Sequence, residues 1–259
     1  VRDWPTLANR GAMLDVSRNK VHSIETLRHV IDLASALKMT QLQLYTEHTF
    51  AYDGHEGVWG GTGALTAGEV AELSEYAHQR WVELVANQQS LGHMQHWLKH
   101  DPLRHLAEDP RGTDALFRGD FCCSQWDDDQ YMPYSLSSRN TSLPFLSALY
   151  GQLLAAYNRT RTVNVGLDEA FDLLPAPGMR RKDGLRRAYM DHLRGLHGLL
   201  QERGAKMQFW GDIVSSDPEA LRQIPPGSVL LEWGYEADSP FAQKGAQYDQ
   251  LGVRYYVCP

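Results

Sequence analysis

The chain has 259 residues, 42% of them hydrophobic and 22% charged, a globular composition with enough length for one α/β barrel. The formal net charge of −7 and the lack of a dense Lys/Arg block argue against a nucleic-acid or anionic-membrane partner. No apolar run approaches the roughly 20 residues of a membrane span, and no signal segment opens the chain. The sequence leaves the compartment (cytoplasm or secreted) and any homo-oligomer open. The 3 cysteines include the neighbours Cys122 and Cys123, a spacing that predicts neither a disulfide framework nor a zinc site.

Seven segments have the alternating or β-branched composition of strands, and helical patterns separate them. The predicted strands lie within residues 11–18, 41–45, 82–86, 162–165, 206–210, 229–233 and 254–257. The predicted helices cover residues 24–37, 66–81, 143–154, 185–203 and 241–251, with a short helix opening at 217. Ser23 is a predicted N-cap, Thr66 and Glu69 form a predicted capping box, and Gly204 and Gly252 end two helices.

Residues 88–141 form the longest interval without a clear strand. Long insertions of this kind more often build a binding surface than a core. The strand and helix alternation, with polar or aromatic residues after each strand, predicts an α/β fold of the (β/α)₈ TIM-barrel type. Seven strands leave the last βα unit missing. We therefore expect residues 1–259 to be one catalytic barrel domain, truncated at its carboxyl end, unless a strand has been overlooked.

The stretch from Arg161 to Phe171 carries the strongest chemical signal. A buried-strand composition ends there at two adjacent carboxylates, Asp168 and Glu169. Alternation along a regular strand would send the two side chains to opposite faces, so both serve one pocket only where the strand ends or bulges. The other interpretation is that one of these acids simply caps the following helix.

Motifs at successive strand ends have a recognisable order. They are Arg10-Gly-Ala-Met-Leu-Asp-Val-Ser-Arg18, Leu44-Tyr-Thr-Glu47, Ser90-Leu-Gly-His93, Gly166-Leu-Asp-Glu169, Trp210 and Trp233. Together they resemble the catalytic barrel of the family-20 glycoside hydrolases, the β-N-acetylhexosaminidases, and particularly a divergent bacterial branch. The resemblance covers nearly the whole chain.

The resemblance implies a retaining exo-β-N-acetylhexosaminidase that releases terminal β-linked N-acetylglucosamine or N-acetylgalactosamine. The substrate's own acetamide oxygen would be the nucleophile and form an oxazolinium ion, without a metal or another cofactor. Glu169 would protonate the leaving oxygen, and Asp168 would hold the acetamide N–H. His93 and Glu47 would form a relay behind Glu169.

The resemblance also implies the carbohydrate-binding residues. Arg10 would hold the 3- and 4-hydroxyls, and Trp210 and Trp233 would wall the pocket next to Asp212. The tyrosine that the family uses for the acetamide carbonyl is not recognisable in the last strand, so Tyr235 is the substitute that we predict. Asp15 and Arg18 are predicted scaffold.

Three other interpretations stay open at the level of sequence. A retaining glycosidase could take its nucleophile from Asp212 or Glu232, and a barrel without turnover could simply bind carbohydrate. His93, His96 and His100 fall at helical spacing and could suggest a metal site, although no carboxylate joins them at ligand spacing.

Overall fold

The computed structural model describes residues 3–18, 20–112 and 133–259, so Cys122 and Cys123 lie outside the described residues. The chain divides into two compact units. The first holds residues 1–88 and 147–164, and the second holds residues 89–146 and 165–259. Within the described ranges, no helix is both long enough and apolar enough to cross a membrane.

The described residues form seven strands and nine α-helices. The strands are β1 (Gly11–Asp15), β2 (Gln41–Tyr45), β3 (Glu83–Asn87), β4 (Thr162–Asn164), β5 (Lys206–Trp210), β6 (Val229–Trp233) and β7 (Tyr255–Cys258). The helices are α1 (Ile24–Ala36), α2 (Glu56–Trp59), α3 (Ala67–His78), α4 (Gln95–Leu98), α5 (Asp101–Arg104), α6 (Leu143–Ala156), α7 (Arg181–Gln201), α8 (Pro218–Leu221) and α9 (Phe241–Leu251).

The first unit is built on the parallel strands β1, β2, β3 and β4, paired in that order. Its core residues come from the sheet and from α1 and α3, and each is at most 3% exposed. They are Leu27, Ile31, Leu42, Leu44, Val70, Leu73 and Leu84. The helices begin where the sequence predicted. The Ser23 hydroxyl accepts the Thr26 N–H at the start of α1, and Thr66 and Glu69 form a reciprocal capping box at the start of α3.

The second unit contains the parallel strands β5, β6 and β7, again paired in chain order. Asp217 caps α8, and Gly252 ends α9 in the left-handed conformation that glycine adopts without strain. Helix α7 begins at Arg181 rather than at the predicted Leu185, because polar residues that show no apolar periodicity still continue the helix. The predicted α/β class with seven parallel strands is confirmed, and the carboxyl ends of the strands carry the residues described next.

Candidate active site

Two turns of the second unit approach each other closely at the site. A Cβ on Gly92 would lie 2.4 Å from the carbonyl oxygen of Asp168, and a Cβ on Gly166 would lie 1.7 Å from Oε1 of Gln89. At Gly92 the contact is with backbone, so only glycine fits there; at Gly166 a side chain would displace Gln89, and the φ angle of 72° also favours glycine. The two glycines bring the turn that carries His93 against the segment that carries Asp168 and Glu169.

The backbone at this point adopts unusual conformations. Three non-glycine residues there have positive φ angles: His93 (58°), Leu167 (79°) and Glu169 (51°). Residues in the left-handed region cost free energy, and in folded proteins they concentrate at functional sites. The left-handed turns at Leu167 and Glu169 break strand alternation, so the two adjacent acids are not sent to opposite faces. For both acids to face one pocket the strand has to end or bulge, and the backbone does depart from a regular strand here.

One imidazole nitrogen serves both carboxylates. His93 Nε2 lies 3.3 Å from Oδ2 of Asp168 and 3.3 Å from Oε2 of Glu169. The His93 side chain is 1% exposed, whereas the side chains of Asp168 and Glu169 are 13% and 18% exposed. A buried histidine thus stands behind two acids that solvent can still reach.

Asp168 is fixed by a second amide contact. Gln89 Nε2 donates to Oδ1 of Asp168 at 2.8 Å, and Gln89 Oε1 accepts the Leu167 N–H at 3.3 Å. Burial acts to raise the pKa of Asp168, but the hydrogen bond and charge of His93, together with the Gln89 amide, outweigh it and leave the pKa below its usual value. Asp168 is therefore an ionised, oriented acceptor at neutral pH.

Asp212 lies beneath Glu169. Its Oδ2 accepts the backbone N–H of Glu169 at 2.9 Å, and its Oδ1 is 3.5 Å from the indole nitrogen of Trp233. Burial, followed by the negative charge of Asp168, raises the pKa of Asp212 to about 6. Asp212, predicted to bind the substrate, instead accepts a hydrogen bond from the backbone of Glu169.

The aromatic residues predicted for the pocket lie at the ends of β5 and β6. Trp210 donates its backbone N–H to the carbonyl of Gly166 at 2.9 Å, and its indole nitrogen is buried without a hydrogen-bond partner among the described residues. The rings of Trp233 and Tyr235 are 5.3 Å apart, and Tyr235 is 86% exposed. Trp233 and Tyr235 thus present aromatic surface, and the indole N–H of Trp233 faces Asp212.

Tyr134 is a contact of His93 that the sequence did not reveal. Its hydroxyl lies 2.9 Å from Nδ1 and 3.2 Å from Nε2 of His93. The tyrosine falls inside the long insertion, where no strand or helix pattern marks its position. Gln89 was missed for a similar reason, because a glutamine after a strand is chemically unremarkable.

The remaining predicted residues belong to the first unit. The Glu47 side chain, 2% exposed, accepts from Tyr45 Oη at 2.9 Å and from Arg18 Nε at 3.4 Å. Arg18 follows the carboxyl end of β1, Tyr45 is the last residue of β2, and Glu47 follows it. Arg10 precedes β1 and donates to the backbone carbonyls of Leu7 and Lys38. This position, at the amino end of the strand, does not fit the predicted role of Arg10 as a sugar ligand. The structure instead places Arg18, predicted as scaffold, at the carboxyl end.

Comparisons with known proteins point in one direction. No family model matches the sequence. Two curated relatives are Hexosaminidase D of Bos taurus, 22% identical over 222 residues, and Hexosaminidase D of Homo sapiens, 23% identical over 225 residues. The matches cover 82% and 83% of this chain and 59% and 42% of the relatives. The chain thus spans about half the length of the curated relatives it matches.

Solved structures agree in fold. A GH20 β-N-acetylhexosaminidase from Streptomyces coelicolor A3(2) matches with a TM-score of 0.71 and 19% identity, over 98% of this chain and 49% of that chain. A chitobiase from Flavobacterium johnsoniae matches with a TM-score of 0.73 and 16% identity, over 98% and 38%. The chain resembles the family-20 β-N-acetylhexosaminidases. At these identities the structural likeness establishes the fold, and the resemblance inferred from the motifs is confirmed.

The two acids and His93 also have the donor types of a metal site. The nearest donor atoms of His93, Asp168 and Glu169 lie within 4.8 Å of one another. Imidazole and carboxylate are ligands that a divalent cation such as Zn²⁺ accepts. The same three groups are equally suited to proton transfer, since one histidine adjoins two acids of different exposure. Activity after dialysis against a chelator distinguishes the two uses.

Proposed function

We propose that this protein is a glycoside hydrolase that removes terminal β-linked N-acetylhexosamine with retention of configuration. The observation that carries the proposal is the pair of adjacent acids, Asp168 and Glu169, which share Nε2 of His93 at 3.3 Å each. The Asp168 carboxylate also accepts a hydrogen bond from the Gln89 amide, whereas Glu169 is held by Asp212 through its backbone N–H, so the two acids suit two different roles. The curated relatives named Hexosaminidase D support the same substrate class.

Asp168 suits the orientation of an acetamide group. An ionised carboxylate already held by Gln89 and His93 accepts an N–H without reorganising, and it stabilises positive charge that develops as the acetamide oxygen attacks C1. The substrate then supplies its own nucleophile and forms an oxazolinium ion, an exception to the scheme with two enzyme carboxylates. No enzyme carboxylate has to form a bond to the sugar.

Glu169 is the proposed general acid. It would protonate the glycosidic oxygen as the bond to C1 breaks, and His93 would then stabilise the glutamate left behind. Water attacks C1 of the oxazolinium ion in the second step, the bond from C1 to the acetamide oxygen breaks, and Glu169 accepts the proton that the water loses. Glu47, in the first unit, stays a predicted catalytic residue.

For substrate binding, we retain Trp210 and Trp233 as the predicted wall and Tyr235 as the predicted partner of the acetamide carbonyl. We assign Arg18 the role first given to Arg10. A guanidinium at the carboxyl end of a strand is placed where barrel enzymes bind substrate, whereas the amino end is not. Asp212 supports Glu169 rather than the sugar in this proposal. The complete (β/α)₈ barrel is likewise proposed, and the seven parallel strands support it.

The alternative glycosidase mechanism needs a free carboxylate nucleophile. Glu232, 3% exposed, instead accepts hydrogen bonds from Lys244 Nζ and Tyr248 Oη, and Asp212 accepts the Glu169 N–H. Both acids are therefore poor candidates for attack at C1. A carbohydrate-binding barrel without turnover is separated from the proposal by a rate measurement.

The experiment compares Glu169→Gln with wild type on aryl N-acetylhexosaminides of good and poor leaving groups. Loss of a general acid should lower kcat about 10²–10⁴-fold for poor leaving groups and much less for activated ones. Glu202→Gln, an exposed glutamate at the end of α7, is the matched control. Equal losses on every substrate would contradict the role of Glu169, and plain glucosides cleaved as well as N-acetylglucosaminides would contradict substrate assistance.

A further inference from the structure

The segment Pro133–Ser138 runs alongside the turn that carries His93. The Met94 N–H donates to the Tyr134 carbonyl at 3.0 Å, and the Leu136 N–H donates to the Leu91 carbonyl at 2.8 Å. These two backbone bonds lie on either side of His93 in the chain. The position of Tyr134 relative to His93 is therefore set by main-chain hydrogen bonds.

The same segment is tied to the loop that follows Glu169. The Ser135 N–H donates to Oδ2 of Asp172 at 3.1 Å. Glu108, 7% exposed, accepts the Ser138 N–H at 2.7 Å and the Leu174 N–H at 3.1 Å. One buried carboxylate thus joins the tyrosine segment to the loop after the proposed acid, so histidine, acid and tyrosine share one hydrogen-bonded frame.

The Tyr134 side chain is almost completely enclosed. It is 3% exposed, and its ring packs edge-on to His93 with centroids 5.3 Å apart. Its hydroxyl lies 2.9 Å from Nδ1 and 3.2 Å from Nε2, so the shorter contact is to Nδ1. A buried tyrosine hydroxyl needs a hydrogen-bond partner, and here the imidazole provides one.

A hydroxyl is well matched to a histidine whose charge changes. With Nε2 turned to two carboxylates, the neutral tautomer that donates there carries its proton on Nε2 and leaves Nδ1 as an acceptor. The Tyr134 hydroxyl can donate to that nitrogen. If His93 becomes an imidazolium, Nδ1–H donates and the same hydroxyl oxygen accepts.

We infer that Tyr134 is a positioning residue that holds the His93 ring and its tautomer for the proton transfer at Glu169. This inference rests on the proposed function. Tyr134 touches no reacting atom in this assignment, since it acts through His93. It extends the site into the insertion, which the sequence predicted only as a binding surface.

The test is Tyr134→Phe, which removes the hydroxyl and keeps the ring. The loss of a hydrogen bond to a group that becomes charged corresponds to a factor of about 10 or more, so we expect kcat to fall about 10-fold or more while KM stays within about two-fold. The loss should be larger for poor leaving groups. Tyr157→Phe, another buried tyrosine, in the first unit, is the control and should leave kcat unchanged.

Long-range ¹H–¹⁵N spectra of the histidine side chains give a second readout that general destabilisation would not move. The His93 signal is assigned by its loss in His93→Gln, and its Nδ1 shift should change in Tyr134→Phe but not in Tyr157→Phe. If the phenylalanine variant does not fold, 3-fluorotyrosine at position 134 keeps the shape, makes the hydroxyl a stronger donor and should also move the shift. An unmoved Nδ1 shift, or an unchanged kcat in folded Tyr134→Phe, overturns the inference.

Failure of the proposed function looks different. In that case wild type does not hydrolyse N-acetylhexosaminides, or Glu169→Gln hydrolyses them at the wild-type rate, while the Nδ1 shift still reports whether the tyrosine contact exists. A shift that moves together with a lost kcat in both Glu169→Gln and Tyr134→Phe supports function and inference together.

Discussion

The second unit holds carboxylates of two kinds. Glu232, on β6, is 3% exposed and bound by Lys244 Nζ and Tyr248 Oη. Asp168 and Glu169 face a histidine instead, and their side chains are 13% and 18% exposed. The first carboxylate is neutralised by a lysine, whereas the second pair adjoins an imidazole, which can either donate or accept a proton.

The different partners, a lysine for Glu232 and a histidine for Asp168 and Glu169, distinguish a carboxylate that stabilises the fold from carboxylates proposed for catalysis. Burial and the charge of Glu232 raise the pKa of Cys258 to about 11, so the surroundings of Glu232 keep a neighbouring thiol protonated and unreactive. At the other acids, glycines and left-handed residues hold the backbone in conformations that stability alone would not favour. Strained backbone and the lack of a lysine partner among the described residues therefore distinguish Asp168 and Glu169, the proposed catalytic acids, from Glu232.

Within this comparison of the two kinds of carboxylate, the largest expected effect is from Asp168→Asn. The amide keeps the size but loses the charge that would stabilise the developing oxazolinium ion, so kcat on N-acetyl substrates should fall about 10²–10³-fold. Steady-state kinetics on an aryl N-acetylglucosaminide measures it. Glu232→Gln is the matched control on the other kind of carboxylate, and an equal kcat loss there, with both variants folded, would remove the distinction.

Lys244→Met should act on stability rather than on chemistry. It leaves Glu232 buried with one fewer partner, and breaking such a pair costs about 3 kcal/mol when it is well buried. Because the Lys244 side chain is 28% exposed, we expect no more than that. Urea unfolding gives the free energy, and kcat per folded molecule should stay near wild type. A normal unfolding free energy with lost kcat would make Glu232 a functional acid.

Much of the fold could be predicted because it depends on local signals. The Ser23 cap, the Thr66 capping box and the Gly252 stop each act within a few residues, and β2, β5 and β6 match their predicted ranges. The start of α7 was missed because Arg181 and Lys182 lie before the apolar periodicity begins. The division into two compact units depends on contacts between distant segments, which no local pattern reports.

Only some residues of the candidate site could be predicted from the sequence. The acids were found because two adjacent carboxylates after a buried strand are unusual. Gln89 and Tyr134 were missed because their roles come from contacts with residues 79 and 41 positions away, respectively. Arg10 and Arg18 both belong to the first-strand motif, and only the strand boundaries tell which of them stands at the carboxyl end.

Substitution of Arg10 and Arg18 should have an effect of intermediate size. Arg18→Ala should raise KM about 10-fold with a smaller change in kcat, because a guanidinium on ring hydroxyls contacts the ground state and the transition state alike. Arg10→Ala should leave KM unchanged and cost about 1 kcal/mol of stability through its lost carbonyl contacts. Michaelis kinetics and thermal unfolding of both variants decide between them. A raised KM in Arg10→Ala alone would restore the assignment made from sequence.

The smallest expected effect separates Asp212 from Asp168 by pH. The folded-state pKa of Asp212 is raised from 3.8 to about 6, so its contribution to stability is complete below about pH 4 and is lost as the pH rises through about 6. The pKa of Asp168 is lowered, so its contribution is present above about pH 4 and is lost as the pH falls further. The two neighbouring acids therefore act in opposite directions and in different windows.

Asp212→Asn removes the pH-dependent contribution of Asp212 to stability and leaves that of Asp168. Relative to wild type, the variant should gain stability, on the order of 1 kcal/mol, between pH 4 and pH 6.5, because wild type must ionise a buried carboxyl over that range and the amide does not. Urea unfolding at half-unit pH steps measures the difference. Since the charge of Asp168 contributes to the raised pKa, the gain should shrink in an Asp168→Asn background. A pH-independent difference would mean that Asp212 titrates as an ordinary carboxyl, and the contrast between the two acids would then rest on geometry alone.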